Sequence, residues 1–280
     1  MTTTWDGAPY PQIEPPGFGR TLLMVLRIAL IVLITALGLL VFALERGLER
    51  IGLPRRVRYA TTRGWGRLLL RIMGITWEIT GTPMATGGAI VANHVSWLDI
   101  IVLRLGPFVT FVAKEEVRGW PGIGIVARVC DTMFVARRAA AAKRQEEEMR
   151  ARIARGELLL FFPEGTSTDG RRVIPFKSTL FAAFVKENVP VQPVTLAYRA
   201  PEGQPEAFFG WWGTMGLVDS IRNATSLAAG GHVTLIFHPP LHPEAIPDRK
   251  VLARTAEEAV RQGLVQEGIR PEIAASAPSG

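Results

Sequence analysis

Residues 89–105 read AIVANHVSWLDIIVLRL. The apolar run Ala89–Ala92 reads as a strand and Trp97–Leu105 as a helix, which leaves Asn93–Ser96 as the turn between them. In an open α/β sheet such a junction faces the ligand crevice. On either side the same alternation continues. Strands are expected at Thr76–Gly81, Val109–Ala113, Met133–Ala136, Glu157–Phe162, Val191–Ala197 and Val233–Phe237. Helices are expected at Ile123–Val129, at Ala139–Arg155 (stopped by Gly156), at Thr179–Glu187 and at Val251–Gln266. This pattern defines an α/β fold with a mixed, largely parallel sheet flanked by helices.

The whole chain has 280 residues, 48% of them apolar, with 32 Lys and Arg against 25 Asp and Glu and a net charge of +7. So much apolar content excludes a disordered chain. The single cysteine, Cys130, excludes an internal disulfide, a Cys-rich zinc module and an iron–sulfur cluster. A basic and apolar chain has two natural partners, nucleic acid or an anionic membrane, and the placement of the residues separates them.

The apolar excess lies at Thr21–Leu44, which contains one charge, Arg27. As a helix it is about 36 Å long, enough for a hydrocarbon core of roughly 30 Å. Arg46, Arg50, Arg55, Arg56, Arg58, Arg63, Arg67 and Arg71 follow it, whereas Met1–Gly19 has no Lys or Arg. That asymmetry places the residues after Leu44 in the cytoplasm and provides a surface for anionic head groups. Trp65–Met73 interleaves apolar residues with arginines in the manner of an interfacial helix. Nucleic-acid binding accounts for the charge but leaves the adjacent apolar run unexplained.

Candidate chemistry begins at His94 and Asp99. Five residues apart on one continuous helix they would point about 140° away from each other. They meet only if His94 lies in the turn and Asp99 in the first helical turn, where the carboxylate fixes the imidazole tautomer and leaves the other nitrogen as a base. Ser96-x-x-Asp99 is equally a capping pattern. After the strand Glu157–Phe162 come Pro163, Glu164, Gly165, Thr166 and Ser167, a carboxylate and a close-approach glycine at the same sheet edge, or else an ordinary turn. Lys177 adds a cation near an apolar wall. Arg137 follows the strand Met133–Ala136 and suits bidentate phosphate binding. Cys130 has no paired base and reads as core. His238 and His242 are separated by two prolines and cannot share a helical face, so no metal site is expected. Trp211 and Trp212 fit a membrane interface, an acyl channel or plain packing.

NHVSWLD, FVAR, FPEGTS and VPVQPV, in that order from Asn93 to Pro193, resemble the four blocks of the glycerolipid acyltransferase family, which includes the lysophosphatidic acid acyltransferases. The resemblance implies transfer of a fatty acyl group from acyl carrier protein or coenzyme A to the hydroxyl of a lysolipid, without a cofactor. It also implies His94 as general base with Asp99 as its partner, and Arg137 on a phosphate. Glu164, Gly165 and Thr166 would shape the acceptor site, with Lys177 also binding substrate and Pro193 structural. The expected organisation is a flexible lead at 1–19, a membrane helix at 20–45, a basic juxtamembrane segment at 46–75, the catalytic domain at 76–268 and a flexible tail at 269–280. The expected setting is a bacterial-type inner membrane, with the catalytic domain on the cytoplasmic side and no nucleic acid bound.

Two positions depart from the family pattern. Asp131 stands where a glycine is usual, three residues before Phe134, and Ser167 stands where the lysophosphatidic acid acyltransferases carry an arginine. FPEGTSTDGRRVIPFKSTL, with VTLAYRAPEG and GWWG, looks more like the bacterial lyso-ornithine lipid acyltransferases, so a lyso-ornithine acceptor is favoured over lysophosphatidate. A membrane-tethered binding module without turnover would keep the basic and apolar segments but have no need of His94 with Asp99. Backbone amides after Val95 or near Gly165 are expected to stabilise the tetrahedral oxyanion, with direct transfer and no acyl-enzyme.

Overall fold

The computed structural model describes residues 5–49, 51–52, 56–85, 87–120, 122–136, 139–227 and 230–269. Helices α1 (Phe18–Glu49) and α2 (Arg56–Ile72) precede strands β1 (Thr76–Gly81) and β2 (Gly88–Ala92), helix α3 (Leu98–Leu103) and β3 (Thr110–Lys114). After a 3-10 turn at Glu115–Gly119 come α4 (Ile123–Val129), β4 (Met133–Val135), α5 (Ala139–Ala154), β5 (Leu158–Phe161) and α6 (Phe181–Lys186). The chain closes with β6 (Val191–Arg199), α7 (Leu217–Ser226), β7 (His232–Phe237) and α8 (Arg249–Gln266).

The strands form one sheet in the order β1-β7-β6-β2-β5-β3-β4. Every adjacent pair is parallel except β6 with β7. Central β2 and β5 are buried along their whole length, as strands covered on both faces must be. Their side chains divide by alternation. Ile90, Ala92, Leu158 and Leu160 enter one core with α2, α3 and Tyr198. Ala89, Val91, Leu159 and Phe161 enter the other, against Met149 and Ile153 of α5, Phe181 and Phe184 of α6 and Val260 of α8. The expected α/β architecture is therefore the observed one. Helix α7 was not anticipated: LVDSIRNATS is a largely polar run in which the buried residues are Ser220, Ala224, Thr225 and Ser226.

Helix α1 has 32 residues, and only Phe42 and Glu45 are buried. Leu22, Leu26, Leu30, Leu33, Leu37, Leu40 and Leu44 are all exposed. This is one helix long and apolar enough to cross a membrane. Arg27, the charge inside the apolar run, donates to the carbonyls of Thr225 and Leu227 at the end of α7, where a helix has unsatisfied acceptors and a negative dipole end. Arg46 donates to Val129 O at 3.3 Å. Helix α1 therefore contacts the same body at Arg27, within its first third, and at Arg46 near its C-terminal end.

The lead before α1, expected to be flexible, lies over the loops that follow β5 and β6. Trp5 N donates to Thr166 Oγ1 (3.4 Å), and the rings of Trp5 and Tyr10 lie 6.0 and 5.7 Å from that of Trp212. Trp212, only 2% exposed, donates its indole N–H to Ala8 O at 3.2 Å. Of the three readings open for this tryptophan, packing is the one realised. The tail past Ile269 lies outside the described residues.

Candidate active site

Strand β2 ends at Ala92, and the side chain of Asn93 continues its pairing with β6. Asn93 Nδ2 donates to Leu196 O (3.0 Å) and Oδ1 accepts from Leu196 N (2.8 Å). This fixes where the chain leaves the sheet, and His94 comes next. Its N–H donates to Glu164 Oε1 at 2.7 Å, and its carbonyl accepts from Thr168 N at 2.9 Å. The loop after β5 thus clamps the histidine backbone from both sides.

Asp99, in the first turn of α3, is fully buried. Its Oδ2 accepts from His94 Nδ1 (2.6 Å), Val95 N (2.7 Å) and Ser96 N (3.0 Å), and its Oδ1 accepts from Tyr198 Oη (2.8 Å). The two readings of Ser96-x-x-Asp99 hold together: one carboxylate closes the turn before the helix and orients the imidazole. Ser96 is engaged as a cap, its Oγ accepting from Leu98 N at 3.1 Å. Because an ionised Asp99 can only accept, His94 Nδ1 carries a proton, and in the neutral imidazole Nε2 is then the nitrogen with the lone pair. The imidazole stacks on Phe162 (4.0 Å between centroids, 12° between planes), and its side chain is 21% exposed. A buried acid thus holds one side of the ring while the other reaches the surface.

Glu164 is also fully buried, and both its oxygens face inward, Oε1 to His94 N and Oε2 to Ile174 N (3.0 Å). Gly165 has φ +70, and a Cβ there would lie 2.7 Å from Lys177 Nζ. Only glycine combines that backbone with room for the ammonium. Thr166 Oγ1 is the acceptor for Trp5 N. The structure thus gathers His94, Asp99, Glu164, Gly165, Thr166 and Lys177 around one loop pair. Arg137 lies outside the described residues.

Several backbone amides near Val95 and Gly165, the two positions expected to serve the oxyanion, already have acceptors. Val95 and Ser96 donate to Asp99, Leu98 to Ser96, and Gly165 N to Phe162 O at 3.0 Å. Closing the two turns consumes these four amides, so the oxyanion expectation passes to the other amides at the same two positions. Burial pushes the Cys130 thiol up, outweighing Arg104, Arg58 and Arg46, so it lacks the thiolate character of a nucleophile. Asp131, at the family's usual glycine position, has φ +58, the left-handed conformation that explains the glycine and that aspartate tolerates. Ser167, at the arginine position, donates its hydroxyl to Trp211 O.

Tyr198 and Phe162 are the functional neighbours that the sequence reading left unassigned. Tyr198 is the penultimate residue of VTLAYR, and its only signal was a hydroxyl near the end of a buried strand, two residues beyond Asn93's partner Leu196.

Burial raises the Glu164 carboxyl to about 8, outweighing the N–H donors of Ile174 and His94. Between its ordinary value of 4.5 and about 8, the unfolded chain has released this proton and the folded chain retains it. The folded state then binds more protons, so stability attributable to Glu164 is complete below 4.5, falls as pH rises and levels off above 8. The expected slope is at most about 1.4 kcal/mol per pH unit. Glu164→Gln removes this component, so urea unfolding from pH 5 to 9 will show a flatter pH dependence in the variant than in the parent. Parallel curves would refute the assignment.

The acyltransferase family model matches residues 78–197, a span that contains His94, Asp99, Phe162, Glu164, Gly165, Thr166 and Lys177 and ends one residue before Tyr198. The lyso-ornithine lipid O-acyltransferase of Rhodobacter capsulatus is 41% identical over 268 residues, covering 94% of this chain and 97% of that protein. The enzyme of the same name from Brucella abortus is 37% identical over 193 residues, 64% of this chain and 72% of that one. Among solved structures, the 1-acyl-sn-glycerophosphate (LPA) acyltransferase PlsC of Thermotoga maritima superposes with a TM-score of 0.64 at 23% identity, covering 91% of this chain and all of that one, which shows a shared fold. With a paired histidine and aspartate at the end of central strand β2, an exposed helix long and apolar enough to cross a membrane, and a relative aligned along nearly its whole length, the chain belongs to the acyltransferase family and is an enzyme that moves an acyl group from a donor to a lipid acceptor.

Proposed function

We propose that the protein acylates the hydroxyl of a lyso-ornithine lipid, using acyl carrier protein or coenzyme A as the acyl donor, at the cytoplasmic face of a bacterial inner membrane. The observation that carries the chemistry is the 2.6 Å bond between His94 Nδ1 and buried Asp99, which leaves Nε2 as the base. Nε2 takes the hydroxyl proton while the lipid oxygen attacks the thioester carbonyl carbon. As the tetrahedral intermediate collapses, the carbon–sulfur bond breaks and the leaving thiolate recovers the proton from His94. Asp99 stabilises the transient imidazolium and is in turn held by Tyr198. Lys177, beside Gly165, supplies positive charge at the acceptor loop, and Arg137 serves a phosphate of the donor.

The acceptor follows the two relatives named above, with further support from Ser167. Where a lysophosphatidate enzyme would place a guanidinium, this chain has a hydroxyl turned onto a backbone carbonyl. In this reading residues 76–268 are the catalytic domain, 20–45 the membrane helix, 46–75 its basic flank, and 1–19 and 269–280 the lead and tail. Arg27 and Arg46 touch the same body about 28 Å apart along α1. A helix crossing upright would carry that body through the bilayer, so α1 lies embedded along one face, with its leucines in lipid and the following arginines at the head groups.

Purified full-length protein supplied with acyl-acyl carrier protein or acyl-coenzyme A, and with lyso-ornithine lipid, lysophosphatidate and lysophosphatidylcholine in turn, tests the reading. The expected result is a kcat/KM for lyso-ornithine lipid at least about tenfold above the others. A preference for lysophosphatidate would overturn the acceptor, and stable acyl label on the protein would overturn direct transfer.

A further inference from the structure

A cavity of about 460 Å³ adjoins the buried side of the dyad, within the size range of small-molecule sites. It shares two wall residues with the dyad. Val95 gives its N–H to Asp99 Oδ2, and Tyr198 gives its hydroxyl to Asp99 Oδ1. The cavity therefore lies one residue from His94 along the chain.

Its charged lining is two arginines and three carboxylates, of which Asp169 is buried and bonded to Arg172 outside the cavity. Arg171, on the loop after β5, meets Glu206, on the loop after β6, at 2.8 Å. Arg199, at the end of β6, meets Glu267, just past α8, also at 2.8 Å. Side chains of Arg199 and Glu206 are 55% and 73% exposed. Exposed ion-pair partners hold little net energy and can turn to an incoming ligand at small cost, whereas Glu267, 19% exposed and also accepting from Thr234 Oγ1, is held in place. A phosphate monoester would bring its charge against three carboxylates here. A zwitterion finds a partner for each of its ends.

We propose that this cavity binds the amino-acid headgroup of the acceptor, its carboxylate on Arg171 and Arg199 and its ammonium on Glu206 and Glu267. The assignment rests on the lyso-ornithine reading above. Ornithine separates its carboxylate from its side-chain amine by about five bonds, roughly 6 Å, so one headgroup can reach both kinds of partner in a cavity of this size. Acceptor choice is then made by the loops after β5 and β6, while the dyad stays the same for any hydroxyl.

Full-length Arg171→Gln and Glu206→Gln, both at the rim, test it with two acceptors. One is lyso-ornithine lipid; the other keeps its hydroxyl and amide but ends in an uncharged alkyl chain. Each variant is expected to raise KM for lyso-ornithine lipid about tenfold, with kcat changed less than about twofold and the uncharged acceptor unaffected. Unchanged KM values in variants of an enzyme that does acylate lyso-ornithine lipid overturn the subsite and leave the function standing. An equal rise for the uncharged acceptor overturns it too, since the cause is then a general disturbance. If the parent enzyme fails to acylate lyso-ornithine lipid at all, the functional reading falls and takes this assignment with it.

Discussion

His94→Ala is expected to fold like the parent and to lose acyl transfer by about 10²–10⁴-fold, the usual contribution of a positioned general base. The fold should survive because the imidazole is held from outside itself. The backbone of residue 94 keeps its bonds to Glu164 and Thr168 in the variant, and Asp99 still accepts from Val95, Ser96 and Tyr198. What disappears is Nε2. Without it the lipid hydroxyl attacks with its proton still attached and must pass that proton to water. The loss should appear in kcat, with the acceptor KM little changed, because the ring's role lies in the transition state. Turnover within about threefold of the parent under saturating donor would place the base elsewhere.

Asp99 separates into a catalytic and a structural effect by choice of substitution. Asp99→Asn keeps size and one acceptor oxygen, enough for the two amides and Nδ1 if the amide nitrogen turns toward Tyr198. It removes the charge that favours the imidazolium. Folding should persist while kcat falls by about 10²–10⁴-fold. Asp99→Ala leaves four buried donors without an acceptor: His94 Nδ1, the amides of Val95 and Ser96, and the Tyr198 hydroxyl. At about 1–3 kcal/mol for each unanswered buried group, this variant should lose several kcal/mol and most of its soluble folded yield. Urea unfolding beside kcat measurements resolves the two. An asparagine variant with near-parental kcat would reduce Asp99 to a cap.

That aspartate shows why the sequence admitted two readings of one motif. Ser96-x-x-Asp99 spells a local capping pattern, and the hydrogen bonds to Val95 and Ser96 make it one. The dyad reading needed an additional fact, the rotation of His94 out of the helix. That rotation depends on Asn93 pairing with Leu196 and on Glu164 receiving the His94 amide, 103 and 70 residues away in the chain. The oxyanion expectation narrows for the same reason: the amides of Val95 and Ser96 look available in sequence, yet here the carboxylate of Asp99 has taken them. Asp131 carried a readable signal, since a departure from glycine marked a backbone that glycine would favour.

The short apolar runs determined by themselves that there would be strands such as Ala89–Ala92 and Leu158–Phe161, and helices such as Ile123–Val129, because alternation and periodicity act between near neighbours. The blocks around His94 and Glu164 determined the family in the same local way. The tertiary structure alone decided strand order, the placing of Tyr198 on Asp99 across 99 residues, the docking of the lead on Trp212 and the contacts of Arg27 with the end of α7. Those pairings join groups that must each find a partner when buried. Several partners of suitable chemistry exist along the chain, and only the packed sheet and its loops bring one of them within hydrogen-bonding distance.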